Sequence, residues 1–285
     1  MSHFTVLIIG PNPEAQLAPF DENLDTPEYC KGEVSEENKN RMVEYYTEKG
    51  MNPKCLDFDK LYPIKGQDWD GGGLRKNPET GIWEEFSTYN PKSKWDWFQL
   101  GGRWSGLLKL KPMNKGEEDK PGYTDQAFKR DIDFEGMRNE AEATCREDYN
   151  KIVAIFGGTI PTLEHKWETI IDKENSFFAP MTIDEKREFY HAQAACKEVE
   201  KHKKELGGGF NLDKYQKPIE QLVKEARESA GQTFAIVKDG VWYEKGEMGW
   251  WACVTNEKSN WSEEFAKLLD EIPDDALLSV YDCHI

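Results

Sequence analysis

Phe4 to Ile9 form a short apolar run that ends abruptly at Gly10-Pro11-Asn12-Pro13, which predicts a first β-strand and a hard stop. Residues 11–34 are acidic and proline-bearing and read as a surface loop. Ser35 then opens "SEENKNRMVEYYTEKG", a helix with acids in its first turn and Gly50 past its end. Residues 51–92 carry Gly71-Gly72-Gly73 and several prolines, so irregular connections are expected there.

Two β-type segments, "WDWFQL" and "RWSGLLKLK", flank Gly101-Gly102. A Gly-Gly pair between such runs predicts a hairpin, because both glycines accept positive φ. Alternation puts Trp95, Trp97 and Gln99 on one face and Asp96, Phe98 and Leu100 on the other.

From Thr124 to Glu228 the pattern becomes helical. "DQAFKRDIDFEGMRNEAEATCREDYNKIVAIF" predicts helix interrupted at Gly136. "TIDEKREFYHAQAACKEVEKHKKELGGG" starts with the capping-box pair Thr182 and Glu185 and stops at three glycines. A partner helix is expected over about 213–229, with Pro218 in its first turn. Together these segments predict a projecting helical hairpin with few large apolar residues of its own.

The C-terminal part returns to β-type sequence. "QTFAIVKDGVWYEKG" predicts a hairpin turning at Asp239-Gly240 in type I′ geometry, and "GWWACVTN" a further strand. "WSEEFAKLLDEI" has a helical apolar stripe at 261, 265, 268, 269 and 272, and "ALLSVYDCHI" ends the chain as a strand. The expected architecture is α+β. A mostly antiparallel sheet body is built from both chain ends (1–114 and 231–285), with 115–230 inserted as a helical arm.

Composition narrows the function. The chain has 285 residues, with 10 Trp, 11 Tyr and 14 Phe, too aromatic for a disordered polymer. Its net charge of −17 argues against a nucleic-acid backbone or an anionic membrane as partner, and suits a basic protein surface. The six cysteines lack any C-x-x-C spacing, so reduced thiols and a cytoplasmic setting are expected. The N-terminus reads as a strand and not as a secretion signal.

Phosphate-loop, dinucleotide, nucleophile-elbow, zinc-protease and EF-hand motifs are all absent. No cofactor is expected. Three groupings carry what chemistry there is. Arg103 with Asp96 or Glu85 forms an acid–base or anion-binding set beside an aromatic cleft, where tryptophans stack a ligand. Trp95, Trp97, Trp104, Trp250 and Trp251 are candidate partner- or ligand-binding residues, one of the 250–251 pair facing out as an interface anchor. If the terminal strands pair antiparallel, His3 approaches His284 and Asp282, a ligand set of the kind that holds a metal. The alternative for that trio is ordinary polar residues at strand tips, and no metal is assigned.

"MSHFTVLIIG", "WDWFQLGGRWSG", "FAIVKDGVWYEKGEMGWW" and "LLSVYDCHI" resemble a family of phage- and prophage-encoded proteins, over about half of the chain. In size and acidity the chain is also similar to the Gabija anti-defence proteins, viral inhibitors of the Gabija defence system. That resemblance implies a non-enzymatic, oligomeric inhibitor in the host cytoplasm. Such a protein occludes a DNA-processing defence nuclease complex and so blocks its DNA binding or cleavage. The rival expectation is a small-molecule-binding protein or enzyme that uses Arg103, nearby carboxylates and the tryptophans.

Overall fold

An apolar run can be a central strand only if both of its faces are covered, and Phe4–Ile9 meets that condition. In the computed structural model, which describes residues 2–48, 67–69, 71–112, 121–249 and 253–285, the fold is α+β with mostly antiparallel sheets. The strands are β1 (His3–Ile9), β2 (Tyr29–Glu33), β3 (Gln67–Trp69), β4 (Gly72–Lys76), β5 (Trp83–Ser87), β6 (Trp97–Leu100) and β7 (Leu108–Lys109). They continue as β8 (Tyr123–Thr124), β9 (Gln126–Phe128), β10 (Ala235–Lys238), β11 (Val241–Glu244), β12 (Glu247–Met248), β13 (Val254–Thr255) and β14 (Leu277–His284). The helices are α1 (Pro13–Leu17), α2 (Glu36–Glu48), α3 (Phe134–Ile155), α4 (Trp167–Ile171) and α5 (Ile183–Ala192). After them come α6 (Ala194–Lys201), α7 (Lys203–Leu206), α8 (Ile219–Ser229) and α9 (Trp261–Asp270).

The chain divides into two compact units: 1–104, 234–257 and 277–285 in the first, and 105–233 with 258–276 in the second. The boundary thus falls at 104 and not at 114, and the α9 segment belongs with the helical unit.

In the first unit the strands run in the order β11-β10-β1-β14-β6. β1 pairs parallel with β10 and antiparallel with β14, so the two chain ends lie side by side. One face carries Phe4, Val6, Ile8, Ala235, Val237, Tyr281 and Cys283, packed with Leu17, Phe20 and Trp95 into a core cluster. Burying side chains of this size contributes about 1.5–3 kcal/mol each, which makes this cluster the main stabiliser of the unit. The β10–β11 turn has Asp239 at φ 54° and Gly240 at φ 73°, the two positive values that a type I′ turn requires.

Two expectations in this unit are corrected. Gly101-Gly102 do not turn a hairpin: β6 pairs with β14, and the following β7 pairs with β8 instead. The glycines, at φ 68° and 54°, steer the chain into a 3₁₀ turn over Gly102–Trp104. The 67–92 part of the stretch expected to be irregular also folds, as the antiparallel sheet β2-β5-β4-β3, which draws β2 from the expected 11–34 loop. Its glycines act as spacers, since Gly73 stands opposite Phe86 in register. Asn77 closes the β4–β5 turn by accepting from the Glu79 and Thr80 amides. Val34, Leu74 and Trp83 form the core of this sheet, with Met42 of α2 against it. Gly50 and residues 51–66 lie outside the described residues.

In the second unit the 22-residue α3 is capped by Asp133, whose carboxylate accepts from the Gly136 amide. Gly136 therefore belongs to the first turn and does not interrupt the helix. α8 packs along α3 through ion pairs of Arg227 with Glu135 and Glu142, and of Arg146 with Glu220. The expected hairpin between the 182–206 and 213–229 helices is not formed, because α8 takes α3 as its partner. The 182–206 segment starts at the expected Thr182–Glu185 capping box and then breaks at Gln193 into α5 and α6. The Gln193 side chain is spent on backbone: it accepts from the His165 amide and donates to the His165 carbonyl. A small core of Leu163, Ala195 and Leu212 holds this region. On α9, Trp261, Phe265 and Leu268 are buried, following the expected stripe.

Candidate functional site: two histidine–aspartate pairs

Cross-strand partners in a sheet share a face, so register decides which side chains meet. Here His3 stands opposite His284, which stands opposite Trp97; one row along, Thr5, Asp282 and Gln99 align. This puts the N-terminal strand, the C-terminal strand and the tryptophan-rich segment on one polar end of an otherwise apolar sheet.

The side chains form two pairs. His3 Nδ1 donates to Asp282 Oδ1 at 2.8 Å, and His284 Nδ1 donates to Asp96 Oδ1 at 2.6 Å. The two imidazoles lie 4.9 Å apart, edge to face, and the Trp97 ring is 6.2 Å from His3. A carboxylate on Nδ1 fixes the ring's orientation and leaves Nε2 as the working nitrogen. His284 Nε2 is enclosed and has no hydrogen-bond partner among the described residues. An enclosed polar atom without a partner is uncommon and calls for an explanation.

Asp282 is only 1% exposed and is held on both oxygens. His3 occupies Oδ1, and the Arg103 backbone amide donates to Oδ2 at 3.1 Å. The 3₁₀ turn after β6 delivers that amide. A Cβ on Gly102 would lie 2.4 Å from the Asp282 Cβ, so the close approach requires glycine. Cys283, next in the chain, points to the opposite, apolar face. Burial pushes its thiol far up, away from the thiolate a nucleophile would need.

Comparison with known families, curated proteins and solved structures finds no match to this chain.

The expected site residues separate. Trp95 is 5% exposed in the core, its ring edge-on to Phe98 and its Nε1 donating to the Leu17 carbonyl. It is a packing residue and not a surface anchor. Trp97 is exposed, Trp104 half-buried and Arg103 exposed. Trp95 and Trp97 differ in burial because regular pairing starts only at Trp97, so the two do not follow strand alternation. Asp96 is brought to the site, whereas Glu85 sits on β5 and pairs with Lys31. Trp250 and Trp251 lie outside the described residues. The His3, Asp282 and His284 trio does converge, as hydrogen-bonded pairs. Among the described residues no group of three or more His, Cys, Asp or Glu is placed to hold a metal.

The Asp96–His284 pair was not read from the sequence. Its one signal was a charged residue and a histidine each set among apolar strand positions, in segments 188 residues apart. Among the described residues no helix is long and apolar enough to cross a membrane.

Proposed function

We propose that the two histidine–aspartate pairs form an acid–base site acting on a small anionic ester, with Arg103 as its anion anchor. The observation that carries this is two imidazoles 4.9 Å apart, each held at Nδ1 by its own carboxylate. Imidazole ordinarily changes charge near neutral pH, which suits it to giving and taking protons there. One Nε2 takes a proton from water as the water oxygen bonds to the phosphorus or carbonyl carbon. The other delivers a proton to the oxygen that departs with its bonding pair. Asp282 and Asp96 orient the rings. The Arg103 guanidinium has no carboxylate partner among the described residues, so it is free to pair with an incoming anion. Trp97 gives a flat exposed surface beside the His3 ring.

The test is turnover of p-nitrophenyl phosphate and bis(p-nitrophenyl) phosphate across pH 5 to 9. Hydrolysis above background is expected, with His3→Asn and His284→Asn each lowering it by roughly 100-fold or more. Absence of turnover, or full activity in both variants, would overturn the proposal.

A second reading rests on a different surface. The helical unit exposes Phe177 at 65%, Ile183 at 49% and Ile171 at 42%, in a chain of net charge −17. Exposed apolar groups in an acidic surround suit an oligomeric binder that occludes a basic, DNA-processing host complex. Pull-down from infected bacterial lysate, with mass measurement of the recovered complex, tests it. Recovery of a nuclease complex that is lost in Phe177→Ala supports occlusion; a monomer with no host protein bound rules it out.

A further inference from the structure

The helical unit holds a cavity of about 760 Å³ that the paired-histidine site does not use. Its volume falls within the range of small-molecule sites. Its walls come from the start of α4, from α5 to α7 and from the glycine run before α8. Tyr190, Val199, Phe210 and Leu212 line it, and all four belong to the unit's apolar cluster. The cavity is thus an extension of the core that no side chain fills.

Two features give the cavity its character. The first is an aromatic ledge: Phe210 stacks on Tyr215 with ring centres 5.3 Å apart and planes 11° from parallel. Trp167 and Tyr190 stand edge to face in the lining, 5.5 Å apart. Asp213 braces that wall, accepting from the Trp167 amide at 2.7 Å and from the Tyr190 hydroxyl. Burial and the Asp213 carboxylate push the Tyr190 phenol well up, so it remains a neutral donor to Asp213 at neutral pH. The second is a mixed charged lining with one cation to spare: Lys166, Lys203, Lys214 and Lys217 line the cavity together with Glu168, Glu200 and Asp213, and Lys166 pairs with Glu168 and Lys203 with Glu200. Lys217 is committed to Glu225, while Lys214 has no carboxylate at salt-bridge distance among the described residues. Gly207, Gly208 and Gly209 border the opening with empty space where their Cβ atoms would be.

We propose that this cavity binds a planar aromatic anion, its ring against Phe210 and Trp167 and its charge on Lys214. Flat apolar walls recognise the ring, and an ammonium with no carboxylate at salt-bridge distance among the described residues recognises the anion.

The probe is 1-anilinonaphthalene-8-sulfonate, titrated into the full chain with fluorescence readout. One saturable site is expected. N-Phenyl-1-naphthylamine, which keeps the rings and lacks the sulfonate, should bind about tenfold more weakly, equivalent to ~1.4 kcal/mol. Lys214→Glu should weaken the sulfonate by a similar factor. Gly208→Trp, at a position with ordinary backbone angles and open space, should abolish binding while circular dichroism and melting stay unchanged. Unsaturable binding, equal binding of the two probes, or a Gly208→Trp variant that binds like the parent would each overturn the proposal. His3→Asn leaves this binding unchanged, so the outcome is separate from that of the paired-histidine site.

Discussion

Trp95 and Trp97 are two positions apart and have opposite fates. Trp95 is enclosed by Phe98, Leu17 and the first sheet, whereas Trp97 is 46% exposed. Trp95→Ala should therefore cost about 3–5 kcal/mol through cavity formation. Trp97→Ala should stay within about 0.5 kcal/mol, as surface changes do. Urea denaturation of the two variants checks this directly. Gly102 is the other decisive position. Its φ of 54° and the 2.4 Å approach to Asp282 leave no room for a methyl group. Gly102→Ala should lose roughly 1–3 kcal/mol and break the Arg103 amide–Asp282 bond. In ¹⁵N-detected spectra, the His3 ring should then lose its fixed tautomer. An unchanged His3 signal would show that the turn does not support the pair.

At the scale of elements, α3 and α8 are joined by surface chemistry as much as by packing. Arg227 holds Glu135, Arg146 holds Glu142 and Glu220, and each of these carboxylates titrates below its ordinary range because of those bonds. A carboxylate lowered in the folded state stabilises above its unfolded value, about 4.3 for Glu, and that stabilisation is lost as pH falls through the folded value. The α3–α8 contact should therefore loosen below about pH 4, modestly, because the groups are exposed and screened by salt. Faster amide exchange in α8 at pH 3 than at pH 6 is the expected result. The elements also show which local signals carry through. Asp239-Gly240, the Thr182–Glu185 box and the α9 stripe all act within one turn or one face, and each was legible. The β2-β5-β4-β3 sheet was not, because Gly71 to Gly73 signal a break on their own. Only the partner strand reveals that Gly73 makes room for Phe86.

For the whole molecule, a net charge of −17 is a self-repulsion that salt relieves. The melting temperature should rise between 20 and 300 mM NaCl, and a fall would show that ion pairs such as those of α3 and α8 dominate instead. By itself the sequence determined the class of each well-patterned segment, the α+β mixture and the acidic character, because periodicity and turn chemistry act over a few residues. The tertiary structure alone decided partners. His3 and Asp282 are 279 residues apart, and their meeting depends on β14 inserting between β1 and β6. A strand's hydrogen-bonding edge looks the same to every possible neighbour. Which neighbour it takes is settled by the packing of both faces, and that choice placed two imidazoles beside each other.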